Sequence, residues 1–233
     1  MPRFCFVGNF GKGLKNVIRY CIIVREMKEK LCIIFGAGEV YAPKIKPSAD
    51  DLVIGADGGY MAAKGLGIEP NVVVGDFDSG AQPTEIGAHI IKLNPDKDDT
   101  DMIAAVKLGL RRGYTTFVLY GGVGGRLDHT TANFATLSYL NAFGAKGFLI
   151  DKDCIATVIA DGKFIVPKGR HGTVSVFAYG GEASGVNLKN LTYELDNATL
   201  TPHFPLGVSN STTDGKRGEI SVKSGSLLIF FPR

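Results

Sequence analysis

Cysteine and long apolar runs are scarce in this sequence of 233 residues. None of the four cysteines belongs to a CxxC pair, and Cys32 lies within an apolar, strand-like run. We therefore predict buried free thiols, which is consistent with a reducing cytoplasm. No apolar stretch reaches the roughly 20 residues that span a bilayer, so no membrane partner is predicted.

An excess of charge of one sign is also lacking. The chain has 26 Lys and Arg residues against 23 Asp and Glu residues, which gives a net charge of +3. No basic run is interleaved with aromatic residues. The sequence therefore predicts no nucleic-acid partner.

Residues 1–30 are predicted to be an N-terminal extension. The first 26 residues are basic, and their short apolar stretch is interrupted by Arg19 and Arg25. A secretory signal needs a longer apolar core and a small-residue cleavage site, so these residues do not favour one.

Residues 31–152 alternate short apolar runs with Gly or Asp turns and helical stretches. Several runs are continuously apolar, which is typical of parallel strands covered on both faces. Two predicted helices end at Gly113 and Gly144, as helices often do. We predict an α/β domain with a parallel sheet, whose strands lie within residues 31–38, 51–59, 71–80, 89–94, 115–125 and 146–151.

The pattern changes in residues 153–233. Short alternating segments are separated by Gly, Asp-Gly and Pro, which is typical of antiparallel hairpins. We predict a second, all-β domain of the sandwich or barrel type.

Acidic residues cluster after two of the predicted parallel strands. Asp76 and Asp78 follow "VVVG", and the segment "PDKDDTD" at 95–101 holds four carboxylates, among them Asp98 and Asp101. Ligands of open parallel sheets bind at these strand ends. Oxygen donors without Cys or His favour a hard cation, and Mg²⁺ commonly bridges carboxylates and phosphates. The pattern therefore predicts Mg²⁺ with a nucleotide polyphosphate.

Local structure offers alternatives for the same residues. Asp98 at the N-cap of a helix and Asp101 three residues later would satisfy free backbone N–H groups. Asp76 to Ser79 is also compatible with a turn. Neither alternative explains both clusters at neighbouring strand ends.

A glycine-rich turn joins a strand to a helix in "FVLYGGVGGRLDHTTANF", residues 117–134. Its glycines allow the backbone to approach a phosphate, and the helix N-terminus offers free N–H groups. Arg126 supplies a planar fork for phosphate oxygens. Asp128 and His129 are compatible with a phosphate site or with simple helix capping. The spacing matches neither a P-loop nor a dinucleotide fingerprint.

Five motifs in order, "ADGG" (56–59), "GDFDS" (75–79), "DKDDTD" (96–101), "GGRLDH" (124–129) and "GVSN" (207–210), resemble those of thiamine pyrophosphokinases. The resemblance covers nearly all of residues 31–233. It implies a Rossmann-like catalytic domain, a C-terminal β-sandwich and a homodimer. The implied reaction is Mg²⁺-dependent transfer of the pyrophosphoryl group of ATP to the hydroxyl of thiamine, leaving AMP.

The resemblance also implies roles for individual residues. The predicted metal ligands are Asp76, Asp78 and Asp101, with Asp98 nearby. The predicted catalytic residues are Asp101, Arg126 and Asp98, the last of these on account of its acidic neighbours rather than the resemblance. The predicted ATP- and phosphate-binding residues are Asp57, Gly58, Ser79, Thr100, Gly124, Gly125, Arg126, Asp128 and His129. Ser209 and Asn210 are the predicted thiamine-binding residues, although residues of these types are also common in plain turns.

Two features of this chain bear on those roles. Some members of the family stack the vitamin on tryptophan, and this chain has none, so another aromatic such as Tyr60 or Phe177 would have to serve. Asp98 is the candidate base for the alcohol proton, because neighbouring acids raise the pKa of a carboxyl group.

Two other functions remain open from the sequence. The strand-Asp-x-Asp pattern at Asp76 and Asp78 also occurs in phosphohydrolases of the haloacid-dehalogenase type, but that chemistry would leave the glycine turn and the β domain without a role. A non-catalytic protein that binds nucleotide or thiamine at the domain junction is the second alternative.

Overall fold

The computed structural model describes residues 29–41, 45–75, 89–92, 99–213 and 215–233. Within these residues the chain forms fourteen strands and three helices. The strands of the N-terminal half are β1 (Cys32–Phe35), β2 (Leu52–Ala56), β3 (Val72–Gly75), β4 (His89–Lys92), β5 (Thr116–Tyr120) and β6 (Lys146–Ile150). Those of the C-terminal half are β7 (Cys154–Ala160), β8 (Lys163–Ile165), β9 (Thr173–Ala178), β10 (Ala183–Lys189), β11 (Leu195–Leu200), β12 (Gly207–Ser211), β13 (Glu219–Ser221) and β14 (Ser226–Pro232). The helices are α1 (Gly59–Gly65), α2 (Asp101–Arg111) and α3 (Leu127–Ala142).

Ten of the strands form one large sheet in the order β12-β9-β14-β7-β6-β5-β1-β2-β3-β4. The six strands from β6 to β4 are parallel to one another. Strand β7 pairs antiparallel with β6, and the remaining strands of this sheet are also antiparallel. The strands β11-β10-β13-β8 form a separate antiparallel sheet. The protein is therefore a mixed α/β fold, as the sequence predicted.

The large sheet separates two apolar cores. On one face, side chains such as Ile34 and Leu119 pack against α2 and α3 through Val106 and Leu137. On the other face, alternate residues of the same strands pack against the small antiparallel sheet and α1. Strands covered on both faces are continuously apolar, which explains the fully buried runs of β1, β2 and β5.

The large sheet continues across the predicted domain boundary at 152–153. The register of the antiparallel β6–β7 pair is Leu149 to Ala156 and Ile150 to Ile155. About half of the C-terminal strands thus extend the sheet that the parallel strands begin. The domain limits 1–30, 31–152 and 153–233 remain predictions.

A glycine in the left-handed conformation follows each of the helices α2 and α3. Gly113 and Gly144 have φ of +78° and +70°, and each lies two residues beyond the last residue of α2 or α3. Their N–H groups donate to the carbonyls of Leu110 and Asn141 at 2.9 Å. Glycine adopts this left-handed conformation without steric cost, so both stops were predictable.

Strands β10 and β12 were not predicted. Their sequences, ASGVNLK and GVSNS, contain glycine and asparagine, which are depleted in strands. Pairing with neighbouring strands overrides that local preference, and both pairings include register shifts. Within the described residues, no helix is long and apolar enough to cross a membrane.

Candidate active site

The loops after β1, β2 and β5 and the first turns of α2 and α3 line a cavity of about 440 Å³. The carboxyl ends of the parallel strands meet at this edge of the sheet, where open α/β sheets bind their ligands. Of the predicted site residues, the cavity lining includes Asp57, Thr100, Asp101, Gly124, Gly125, Arg126 and His129. The fold thus brings segments far apart in sequence into one cleft.

Glycines form a tightly packed part of the cavity wall where the loops after β1 and β5 meet. The N–H groups of Gly36 and Gly38 donate to the carbonyls of Tyr120 at 2.7 Å and Gly121 at 2.9 Å. Gly121 has φ of +64°, and a Cβ there would lie 2.4 Å from the carbonyl oxygen of Gly36. Here the lining is therefore backbone rather than side chains. Our sequence interpretation missed Gly36 and Gly38, although a Gly-x-Gly directly after a buried strand was an available signal.

Asp57 lies between β2 and α1 in an uncommon backbone conformation. Its φ is +49°, and its N–H donates to the carbonyl of Val74 at 2.8 Å. A residue other than glycine in the left-handed region is sparsely populated and commonly marks a functional site. The following Gly58 is the N-cap of α1, and its backbone approaches Ala37 in the loop after β1.

Helix α2 presents its N-terminus to the same cavity. Thr100 is the N-cap, and its Oγ1 accepts a hydrogen bond from the N–H of Ile103 at 3.3 Å. Asp101 is the first helical residue, where its negative charge opposes the positive end of the helix dipole. The alternative in which Asp98 caps this helix is therefore wrong, because the cap is Thr100.

Removing the cap should have a moderate effect on stability. We expect Thr100→Ala to lower the free energy of unfolding by about 1 kcal/mol, because the N–H of Ile103 loses its acceptor. Thr100→Ser keeps the hydroxyl and should unfold at nearly the wild-type urea midpoint. Urea unfolding followed by circular dichroism measures both variants, and equal midpoints for alanine and serine would contradict the capping role.

Asp99 has a partner on α2 itself. Its two carboxylate oxygens accept hydrogen bonds from Lys107 Nζ at 2.7 and 2.8 Å, and both side chains are about one-third exposed. The carboxylate beside it raises the pKa of Lys107. Lys107 therefore compensates one of the clustered acids in the described residues.

Arg126 and Asp128 form a two-point ion pair at the start of α3. The Nε and an NH2 group of Arg126 donate to the two oxygens of Asp128 at 3.1 and 2.6 Å. Asp128 Oδ1 also accepts from the N–H of His129 at 3.0 Å, so this carboxylate satisfies a helix-terminal donor as well. The hydrogen bond from Arg126 is the largest cause that lowers the pKa of Asp128 from 3.8 to about 2. Because both side chains are mostly exposed, the guanidinium is accessible to an anion from solvent.

The lowered pKa gives a direct measurement of this pair. We expect the Asp128 carboxyl to titrate near pH 2 in the wild type and closer to 3.8 in Arg126→Gln. The ion pair therefore stabilises the folded protein at pH values above the unfolded-state pKa of Asp128. This stabilisation is lost as the pH falls toward 2. Carboxyl ¹³C shifts at low ionic strength report the midpoint, since salt screens exposed pairs. An unchanged midpoint in the variant would show that Arg126 does not cause the shift.

The glycine turn between β5 and α3 completes this side of the cavity. Gly124 and Gly125 have φ of +83° and +70°, which other residues rarely adopt. The turn leads into α3, a helix of 16 residues whose N-terminus faces the cavity through Arg126 and His129. A helix N-terminus offers free N–H groups, and the adjacent glycines let the backbone come close to a ligand. Together they favour the binding of an anion such as a phosphate.

Several predicted residues lie outside the described residues: Asp76, Asp78, Ser79 and Asp98. Strand β3 ends at Gly75, directly before Asp76. Within the described ranges, no group of three or more His, Cys, Asp or Glu residues is placed to hold a metal ion. The carboxylates that line the cavity there are Asp57, Asp99 and Asp101. Their oxygen donors are of the type that suits Mg²⁺ rather than a thiolate-bound metal.

Ser209 and Asn210 lie on β12, the edge strand of the large sheet, and do not line this cavity. Asn210 is buried, and its amide exchanges hydrogen bonds with the backbone of Tyr193, at 2.6 Å to the carbonyl and 2.9 Å from the N–H. Its Oδ1 also accepts from the N–H of Ser211. Ser209 is exposed, with φ of +57°. Asn210 therefore links the loop at Tyr193 to β12.

Known proteins resemble this chain in sequence and fold. Family models match at residues 46–149, "Thiamin pyrophosphokinase, catalytic domain", and at 163–227, "Thiamin pyrophosphokinase, vitamin B1 binding domain". The chain is 27% identical over 207 residues to thiamine pyrophosphokinase of Bacillus subtilis (strain 168), covering 84% of this chain and 95% of that protein. It is 26% identical over 174 residues to thiamin pyrophosphokinase 1 of Caenorhabditis elegans, covering 69% of each. A crystal structure of the Bacillus subtilis thiamine pyrophosphokinase has a similar fold, with a TM-score of 0.79 at 24% identity over 87% of this chain and 99% of that one.

The fold and the cavity define a mixed α/β protein with a glycine-lined site suited to an anion at its strand ends. The two family models together span well over half of the chain, and both describe parts of the same enzyme. The chain belongs to the thiamin pyrophosphokinase family.

Proposed function

We propose that this protein transfers the pyrophosphoryl group of ATP to the hydroxyl of thiamine, giving thiamine diphosphate and AMP. The observation that carries the proposal is the accessible Arg126 fork, held by Asp128 beside a glycine-walled cavity at the N-terminus of α3. Membership of the thiamin pyrophosphokinase family supports the same reaction.

In this proposal the cavity binds the triphosphate of ATP. Gly124 and Gly125 let the backbone approach the phosphates, while the N-terminus of α3 favours their negative charge. Arg126 exchanges the oxygens of Asp128 for phosphate oxygens, because both sets of acceptors fit the same planar fork. The pre-existing pair keeps the guanidinium beside the cavity before the substrate arrives.

The transfer itself exchanges one bond to phosphorus for another. The thiamine hydroxyl oxygen attacks the β-phosphorus, the bond from that phosphorus to the oxygen bridging it to the α-phosphorus breaks, and AMP leaves with that oxygen. Negative charge grows on the leaving oxygen, and Arg126 with backbone amides of the turn is placed to stabilise it. Asp98 is our proposed acceptor for the alcohol proton, a role suggested by its acidic neighbours in the sequence.

Asp76, Asp78 and Asp101 are the proposed Mg²⁺ ligands. Asp101 lines the cavity, and Asp76 directly follows the last residue of β3, a neighbour of β2 in the sheet. Bound Mg²⁺ would neutralise part of the triphosphate charge. The proposed ATP-binding set also retains Asp57, Gly58, Ser79, Thr100 and His129.

Other features of the proposal come from the family resemblance. The parallel strands and their helices would form a Rossmann-like unit, and the small sheet would form a β-sandwich with the antiparallel strands, supported by their shared apolar core. Ser209 and Asn210 are proposed to contribute to thiamine binding. A homodimer in the cytoplasm completes the proposal.

One assay tests the reaction directly. Purified protein is incubated with MgATP and thiamine, and thiamine diphosphate and AMP are quantified by chromatography beside a metal-free control. Equal amounts of the two products, formed only with metal, are expected. Release of inorganic phosphate without thiamine diphosphate would instead support the phosphohydrolase, and binding without AMP would support a non-catalytic protein.

A further inference from the structure

Asn133 of α3 is a buried polar residue in the wall of the cavity that none of the proposed roles uses. The residue is 7% exposed, and its Nδ2 donates a hydrogen bond to the carbonyl of Gly122 at 2.7 Å. It follows His129 by four residues, so both lie on the same face of the helix and both line the cavity. Asn133 therefore connects the helix to the glycine turn from inside the site.

Three successive carbonyls at the end of β5 each have a donor. Gly36 donates to Tyr120 and Gly38 to Gly121, and both bonds are between backbone groups. The third carbonyl, that of Gly122, takes its hydrogen bond from the side chain of Asn133. Asn133 thus continues a row of bonds that the loop after β1 begins.

The orientation of these carbonyls matters for an anion site. In a trans peptide the N–H of the next residue points opposite to the carbonyl, so fixing a carbonyl also fixes the direction of that amide. The space around Gly122 is narrow as well, because a Cβ there would lie 2.5 Å from a methyl carbon of Leu149 and 3.1 Å from Nδ2 of Asn133. The turn is thus held between β6 and α3 at this residue.

We propose that Asn133 is a positioning residue that fixes the glycine turn in the form that binds the triphosphate. This inference rests on the proposed function. Asn133 acts through the backbone of Gly122, with no contact to the reacting atoms required. Loss of its donor would leave the carbonyl of Gly122 without this buried partner and allow the 122–123 peptide to rotate.

The test uses Asn133→Leu, which keeps a similar side-chain volume but removes the donor. Asn133→Ala is the second variant, in case the branched side chain prevents folding. Asn141→Leu is the matched control, since Asn141 lies on the same helix and donates to the carbonyl of Val158 at 3.4 Å, outside the cavity lining. Calorimetry with MgATP alone gives the nucleotide affinity, and steady-state kinetics with thiamine give kcat and both KM values.

We expect either Asn133 variant to bind MgATP at least about tenfold more weakly and to lose a similar factor in kcat, as the loss of a buried donor implies. The KM for thiamine should stay within about twofold of the wild type, a separation that a general structural defect would not produce. The control should lose some thermal stability and keep its nucleotide affinity.

Nucleotide affinity within twofold of the wild type in both folded variants would overturn the proposal. So would an equal change in the KM for thiamine, or an equal loss of nucleotide affinity in the control. The affinity measurement needs no turnover, so it tests Asn133 even if the wild type forms no thiamine diphosphate, an outcome that would reject the proposed function separately.

Discussion

Arg126→Ala is expected to lower kcat/KM for ATP by about 100-fold, the usual cost of removing one preorganised donor from a site of developing negative charge. The guanidinium lies beside the glycine turn and is held there by both oxygens of Asp128. Its exposure means that the substitution removes little packing, so the melting temperature should change by only a few degrees. Steady-state kinetics and a thermal melt of the same sample measure the two effects separately.

Two further variants separate geometry from charge. Arg126→Lys keeps the positive charge but loses the planar fork, so we expect it to recover only part of the activity. Arg111→Ala removes an exposed arginine from the C-terminal end of α2, whereas the N-terminal end of that helix lines the cavity. This control should have near wild-type kinetics. If Arg126→Ala loses less than about threefold, or Arg111→Ala loses as much, Arg126 does not have the proposed role.

The sequence predicted the elements of this site better than their contacts. The helix end at Gly113 and the glycine turn that precedes α3 were predicted because glycines act locally, within a few residues. The hydrogen bonds from Gly36 to Tyr120 and from Gly38 to Gly121 form a contact between segments more than eighty residues apart in the printed sequence. No periodicity or spacing encodes which loop lies against which, so that contact was not predictable.

The hydrogen-bond partners of buried polar side chains were the second feature that the sequence did not predict. In the sequence, Asn133 is one polar residue among the apolar positions of a helix, and Asn210 is part of a Ser-Asn motif. The structure shows that each bonds to backbone of another segment, Gly122 for one and Tyr193 for the other. Such partners depend on tertiary packing, because a side-chain amide serves equally well at a surface, a turn or a core.

The continuation of the large sheet across residues 152–153 was not predicted for a similar reason. The change from helical to alternating patterns near residue 153 was visible, and it suggested a separate β domain. The antiparallel pairing of β7 with β6 is a short hairpin whose strands are largely buried, and nothing in its composition distinguishes a shared sheet from a new one. Strand order is a property of the whole fold.

We expect Gly59→Ala, which adds a single methyl group, to destabilise the protein strongly. Gly59 is the first residue of α1, and a Cβ there would lie 1.8 Å from the carbonyl oxygen of Phe35. That oxygen belongs to the backbone of a fully buried strand, so α1 itself has to move. Overpacking of this kind typically lowers the free energy of unfolding by about 1–3 kcal/mol or more. We expect Gly59→Ala to lower it by an amount in the upper part of that range, as measured by urea unfolding.

The same displacement should reach the site, because α1 directly follows Asp57 and Gly58. We expect Gly59→Ala to weaken MgATP binding as well as stability. Gly65→Ala is the matched control at the other end of α1, where a Cβ would meet nothing within 4 Å. Since alanine is the better helix former by about 1 kcal/mol, the control should be equally or more stable than the wild type. A stable Gly59→Ala protein with unchanged nucleotide affinity would show that the close approach of α1 to β1 does not position the residues of this cavity.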